Sequence, residues 1–137
     1  MYTMMQVCRE LDMTYQTLKF YCNEGVIPNV KRDHNNRRVF DEKHVKWIKD
    51  LTCLKKCGMS IQEMKKYLEL CLQGEATIVS RKKMLARKQE ELRASIKELE
   101  DSISYIGWKQ NFYDEVLSGK RPYVSNLIRT AEKTKNN

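Results

Sequence analysis

No apolar run in this chain approaches the roughly 20 residues that cross a bilayer, and the opening residues MYTMMQVCRE have neither the basic flank nor the apolar stretch of a secretory signal. A membrane span and export are not expected; a cytoplasmic protein is. Cysteines number five, an odd count that without an export signal argues for reduced thiols rather than a disulfide framework, and none lies beyond Cys71. Gly-rich loops are missing, and with them one common means of building an oxyanion or phosphate site. Acid is also short, with 18 Asp and Glu against 26 Lys and Arg and a formal net charge of +8. The excess cations occur in both halves of the chain, a balance that suits a polyanionic partner. At 137 residues there is room for one small domain, or a head plus an extended helix, but not for two full globular domains.

What is present organises readily. Thr3 followed by Gln6 forms a capping-box pattern, and Met4, Cys8 and Leu11 repeat at helical spacing, so residues 3–11 read as a first helix. Asp12 and Met13 make a turn, Thr14 caps a second helix with Leu18, Tyr21 and Cys22 inward, and Gly25 supplies the left-handed residue that closes it. Two short helices around a tight turn are a helix-turn-helix. Pro28 forbids helix, and the short runs Val30–Arg32 and Arg38–Phe40 flank the polar tip Asp33-His34-Asn35-Asn36, which reads as a hairpin or wing with Asn36 at positive φ. Asp41 caps a third helix carrying Trp47, Ile48, Leu51 and Leu54 inward, ended by Gly58. Ser60 with Glu63 opens a fourth, with Ile61, Met64, Leu68 and Cys71 or Leu72 on one face and Gly74 at its end.

From Thr77 to about Leu117 there is no proline and only the late Gly107. Leu85, Leu92, Leu99 and Ile106 recur every seven residues, with Gln89, Ile96 and Ile103 between them in a four-three repeat. A seam this narrow cannot bury itself, so Leu85, Leu92, Ile96, Leu99, Ile103 and Ile106 are expected to pack on a second copy of the chain. The expected fold is therefore mainly α: a winged helix-turn-helix head over residues 1–74, a dimerisation helix over 77–118, and a short terminal helix and tail over 119–137 built on Val124, Leu127, Ile128 and Ala131.

The second helix of a helix-turn-helix lies in the DNA major groove, its first residues toward base edges and its flanks on phosphates. Here Tyr15, Gln16 and Lys19 face outward: Gln can read adenine, Lys can reach phosphate or guanine, and Tyr can stack or donate to phosphate. Arg32, Arg37 and Arg38 of the wing suit phosphate contacts. The expected DNA set is Thr14, Tyr15, Gln16, Thr17, Lys19, Tyr21, Arg32, Arg37 and Arg38, although Tyr21 also falls on the inward face.

The segments YTMMQVCREL, TYQTLKFYCNEGVIP, KRDHNNRRVF and LKKCGMSIQEMKKYLEL, in this order and spacing, resemble the N-terminal domain of the MerR family of bacterial transcription regulators over residues 2–72. The resemblance implies a winged helix-turn-helix, two further helices and a long helix pairing antiparallel with its mate. It also implies a homodimer on a pseudo-palindromic promoter with an overlong spacer, where an effector distorts the DNA so that RNA polymerase engages. Two positions depart from the family pattern: Lys19 stands where Arg is usual, and Asn36-Arg37-Arg38 where Gly-Tyr-Arg is common. Lys is a point charge rather than a planar fork, so a bidentate contact is not expected from Lys19.

Cys8, Cys22 and Cys71 fall on apolar helical faces and read as packing. Cys53 differs, being nearly opposite Trp47 and Leu51 on the face shared with Lys46, Lys49 and Lys56, the kind of cationic setting that favours a thiolate. LTCLKKCGMSI, with GEATIVSRKKML downstream, resembles the family's thiol-responsive branch, which implies an electrophile or aldehyde sensor at Cys53 with Cys57 as its neighbour. Two thiolates are too few for a closed tetrahedral metal site, and His34 and His44 have positions of their own, so no metal site and no cofactor is expected; a metal sensor with ligands from two subunits is an alternative reading, which the lack of cysteines after Cys71 disfavours.

Other readings carry less of the sequence. An apolar-ligand sensor would use Trp108, Phe112 and Tyr113, yet the stretch after Leu117 is short for a separate ligand domain. A coiled-coil adaptor leaves three wing arginines idle. An enzyme using Cys53 lacks a general base and an oxyanion site beside it. A DNA-binding regulator, not an enzyme, is the expectation.

Overall fold

A computed structural model describes residues 1–129. The elements run β1 (Tyr2–Thr3), α1 (Met4–Leu11), α2 (Tyr15–Glu24), β2 (Lys31–Arg32), β3 (Arg38–Phe40), α3 (Glu42–Lys56), α4 (Ile61–Leu72), a 3₁₀ turn (Gly74–Thr77) and α5 (Ile78–Leu117). The fold is mainly α, as expected, with a winged helix-turn-helix head and a long helix after it.

The helix starts follow from local chemistry. Thr3, Asp41 and Ser60 each accept from the third helical N–H, while Gln6, His44 and Glu63 reach back to the capping N–H, so two orphan donors are satisfied at each start. His44 closes its box with Nδ1 as acceptor from the Asp41 N–H and donates through Nε2 to the Pro28 carbonyl at 2.8 Å, tying α3 to the loop after α2. Gly25 ends α2 at φ 75°.

The hairpin is wider than the sequence suggested. β3 pairs antiparallel with β2 (Arg32 opposite Arg38) and also with β1 (Tyr2 opposite Phe40), giving the order β1-β3-β2. Two residues of strand leave no periodicity to detect, and Thr3 announces itself as a cap rather than as a strand.

The chain divides into two compact units, Met1–Leu92 and Arg93–Asn137. In the first, Val7, Cys8, Leu18, Tyr21, Val26, Ile27, Phe40, Val45, Ile48, Leu51, Met59 and Met64 form one core, against which Met84 of α5 also packs. Trp47 lies at its edge, donating Nε1–H to the Val26 carbonyl at 2.7 Å and stacking on Tyr67 with the ring planes 7° apart. Lys65 bridges to Glu24 across α4 and α2 at 3.1 Å. At the α4–α5 junction Arg81 donates to Thr77 Oγ1 and the Gly74 carbonyl, and Thr77, itself buried, donates to the Leu70 carbonyl. These bonds satisfy carbonyls that the end of α4 leaves open.

In the second unit, α5 continues without a buried residue. Along it Tyr105 lies tilted against Trp108, which stacks on Phe112, with the Arg121 guanidinium 5.4 Å over Phe112 and the Arg121 Nε 3.0 Å from Glu115. The short helix expected on Val124, Leu127 and Ile128 does not form within residues 119–129; Ala131 lies outside the described residues. Ser125 Oγ instead accepts from the N–H groups of Leu127 and Ile128 in a local turn, and Leu127 is 93% exposed. A few residues cannot hold a helix without a surface on which to bury their stripe.

Candidate nucleic-acid interface

The candidate recognition surface is assembled from the start of α2, the start of α1 and the wing. Asp12, at φ 49°, turns the chain between the two helices. Thr14 Oγ1 accepts from the Thr17 N–H at 3.1 Å and donates to Thr17 Oγ1 at 2.8 Å, so both threonines serve first to hold the helix start. Tyr15, Gln16 and Lys19 are exposed on the next turn.

The wing is held rigid by its own side chains. Asp33 accepts from the N–H of Asn35 at 2.9 Å and of Arg37 at 3.0 Å, the Asn36 N–H returns to the Asp33 carbonyl, and Asn36 takes φ 61° as expected. The Arg37 N–H, followed by burial acting in the opposite sense and the Asn35 N–H, holds the Asp33 carboxyl below its ordinary value. Arg32 Nη1 donates to the Asn36 carbonyl at 2.8 Å, and Arg38 Nη2 donates to Asn23 Oδ1 at 2.9 Å, anchoring the wing to the last turn of α2.

Tyr15, Arg32, Arg37 and Arg38 line one concavity with Thr3, Met4, Met5, Asp33 and Asn36. Its only carboxylate, Asp33, is already engaged by the turn, so the hollow presents guanidinium groups to an anion. Gln16 and Thr17 open instead on a neighbouring hollow with Phe20, Tyr21, Lys55, Met59, Ile61 and Met64.

One residue expected to touch DNA is placed elsewhere. Tyr21 is 3% exposed and its hydroxyl is buried, so it points from the inward face of α2 into the core; its inward periodicity outweighs its aromatic type. Exposed Met5 and the anchoring Asn23 do not stand out in the sequence. Met5 falls on the polar side of an amphipathic helix, and that mismatch is the signal available for it.

Among the thiols, Cys53 is exposed, Cys8 is buried, and Cys22, Cys57 and Cys71 are intermediate. Burial pushes the Cys8 and Cys22 thiols up, the latter opposed by Arg38 and Arg32. Cys71 is more than packing, since Arg81 Nη1 lies 4.0 Å from its sulfur. Among the described residues no three His, Cys, Asp or Glu side chains gather as metal ligands, and no helix is long and apolar enough to cross a membrane.

This arrangement agrees with known proteins. Residues 2–71 match the MerR HTH family regulatory protein model and residues 45–106 the MerR DNA-binding model, and an uncharacterised HTH-type transcriptional regulator of Haemophilus influenzae is 32% identical over 83% of this chain and 84% of its own. The chain belongs to the MerR family. The HTH-type transcriptional regulator AdhR of Bacillus subtilis is 36% identical over 64% of this chain and 62% of AdhR. A crystal structure of HiNmlR, a MerR family regulator lacking the sensor domain and bound to promoter DNA, matches with a TM-score of 0.68 at 31% identity over 85% of this chain and 93% of that one. As a MerR protein this chain is a DNA-binding transcriptional regulator, a class without catalytic activity.

Proposed function

We propose that this MerR protein is a cytoplasmic homodimer that binds a pseudo-palindromic promoter, engages RNA polymerase there and responds to soft electrophiles through Cys53. The observation that carries the sensor assignment is exposure: of the five thiols, Cys53 alone is exposed. It stands on the last turns of α3, on the face that also carries exposed Lys46, Lys49 and Lys56. An adduct there adds bulk and changes charge on the exposed face of α3, a local change that biases how the head holds DNA. Cys57, one turn on and half-exposed, is the partner for a bridged adduct or disulfide.

The dimer follows from α5, where Leu85, Leu92, Ile96, Leu99, Ile103 and Ile106 are all exposed in one chain. DNA contact is assigned to Tyr15, Gln16, Lys19, Arg32, Arg37 and Arg38, with Thr14 and Thr17 presenting the helix start.

Treating reduced protein with a limiting electrophile and mapping adducts by mass spectrometry should find Cys53 first. Cys53→Ser should keep promoter affinity within about twofold, as surface substitutions away from a contact do, while abolishing induction by aldehydes. Induction that survives Cys53→Ser would move the sensor to the aromatic run around Trp108.

A further inference from the structure

Residues 76–89 hold five cations, Arg81, Lys82, Lys83, Arg87 and Lys88, and no carboxylate. The winged head does not account for this run. Its first helical turns face α4 across a groove lined by Gln62, Glu63, Lys66, Leu70, Ser80, Lys83, Met84, Arg87, Lys88 and Glu91. Within the groove the charges sort into two layers. Lys88, its side chain 12% exposed, bridges Glu63 at 3.0 Å and Glu91 at 2.7 Å, so both carboxylates are neutralised at the floor. Lys66, Lys83 and Arg87 are exposed at the rim, and none has a hydrogen-bond or ion-pair partner among the described residues.

Three unpaired cations over a neutralised floor suit an extended polyanion better than a single small anion, because nothing there closes around a ligand. Position selects the polyanion. The first turn of α4 borders both surfaces: Ile61 and Met64 line the hollow shared with Gln16 and Thr17 of the recognition helix, while Gln62 and Glu63 line the basic groove. The groove thus continues the DNA-facing surface around the end of one helix.

We propose that the α4–α5 groove is a second DNA surface, in which Lys66, Lys83 and Arg87 hold backbone phosphates of duplex flanking the segment read by α2 and the wing. This rests on the DNA-binding reading of the head. The contribution is independent of sequence, deepens the salt dependence and favours a promoter whose flanks are duplex over one truncated to its recognised core.

The test uses the full chain and two duplexes from its own promoter, one ending at the footprint of α2 and the wing and one extended by about ten base pairs on each side. Affinity is followed by anisotropy between 50 and 200 mM salt. Wild type should bind the longer duplex more tightly and with a steeper salt slope. The variant Lys66→Ala/Lys83→Ala/Arg87→Ala, its fold checked by circular dichroism, should lose that difference, the slope falling by about 0.9 for each phosphate no longer neutralised. Lys19→Ala should weaken both duplexes alike. Wild type that binds the short duplex but gains nothing from the flanks overturns the groove assignment alone, whereas binding to neither duplex overturns the DNA reading with it. A triple variant with unchanged slopes also overturns it, and if promoter output then falls, the cations belong to an acidic protein surface instead.

Discussion

The head and the distal part of α5 satisfy themselves in opposite ways. Up to Leu92, capping boxes, the Trp47–Val26 bond, the Arg81 cluster and a core of fully buried Phe40, Leu18, Ile48 and Leu51 leave few groups in want of a partner. Beyond Arg93 the helix buries nothing, and Leu99 and Ile103 are 64% and 69% exposed. Core burial of that kind is worth roughly 1.5–3 kcal/mol per large side chain, and the distal helix has none of it from its own chain. The difference teaches that the head's order is encoded within one chain, whereas the distal helix, on the proposed dimer reading, draws its stability from a second copy.

The sharpest way to break the contrast is to charge the seam. Leu92→Asp with Leu99→Asp should give a monomer in sedimentation at micromolar concentration, with the head still folded and operator affinity down by about a hundredfold or more as two linked half-sites become one. A monomeric wild type would instead mean that the distal helix needs no partner.

Next come the head's polar surfaces, where single changes should act on binding alone. Lys19→Ala and Arg38→Ala should each flatten the salt slope by about one unit, the amount set by one phosphate left with its counterions. Gln16→Ala should leave the slope alone and relax base preference by about 1–3 kcal/mol at one position. Unchanged affinity, slope and preference in all three would move the DNA surface elsewhere.

The smallest effect expected is in the wing. Asp33 is held below its ordinary value of 3.8, chiefly by the Arg37 N–H. A carboxyl depressed in the folded state contributes order that is complete above its unfolded value and lost as pH falls through the folded one. Amide exchange at Asn35 and Arg37, corrected for intrinsic rate, should therefore stay slow above about pH 4 and quicken below it, and Asp33→Asn should remove the dependence. Equal protection across that range in the wild type would show that the wing is held by its strands alone.

Helix starts and the core were legible because they rest on short-range chemistry: Thr3, Thr14, Asp41 and Ser60 cap where their neighbours predict, and Leu18, Ile48 and Met64 are buried where helical spacing puts them. For the candidate recognition surface, helical spacing alone did not settle which side chains are exposed. Tyr21 can face either way by chemistry, and only the packed helix pair decides. What escaped was decided by distant chain: β1 exists because Tyr2 and Thr3 meet Phe40 and Val39 from the far side of the helix-turn-helix. Within residues 119–129 the expected helix is absent because Val124, Leu127 and Ile128 stay exposed, with no surface among the described residues on which to bury a stripe.

The two tryptophans turn this division into a pair of optical probes. Trp47 is wedged between the Val26 carbonyl and the Tyr67 ring in the first unit, while Trp108 is 58% exposed among aromatic neighbours in the second. Their emission therefore differs in colour and in access to quencher, and with one replaced by Phe the other reports on its own unit. The chain carries its own spectroscopic labels, one for the DNA-binding head and one for the helix proposed to pair.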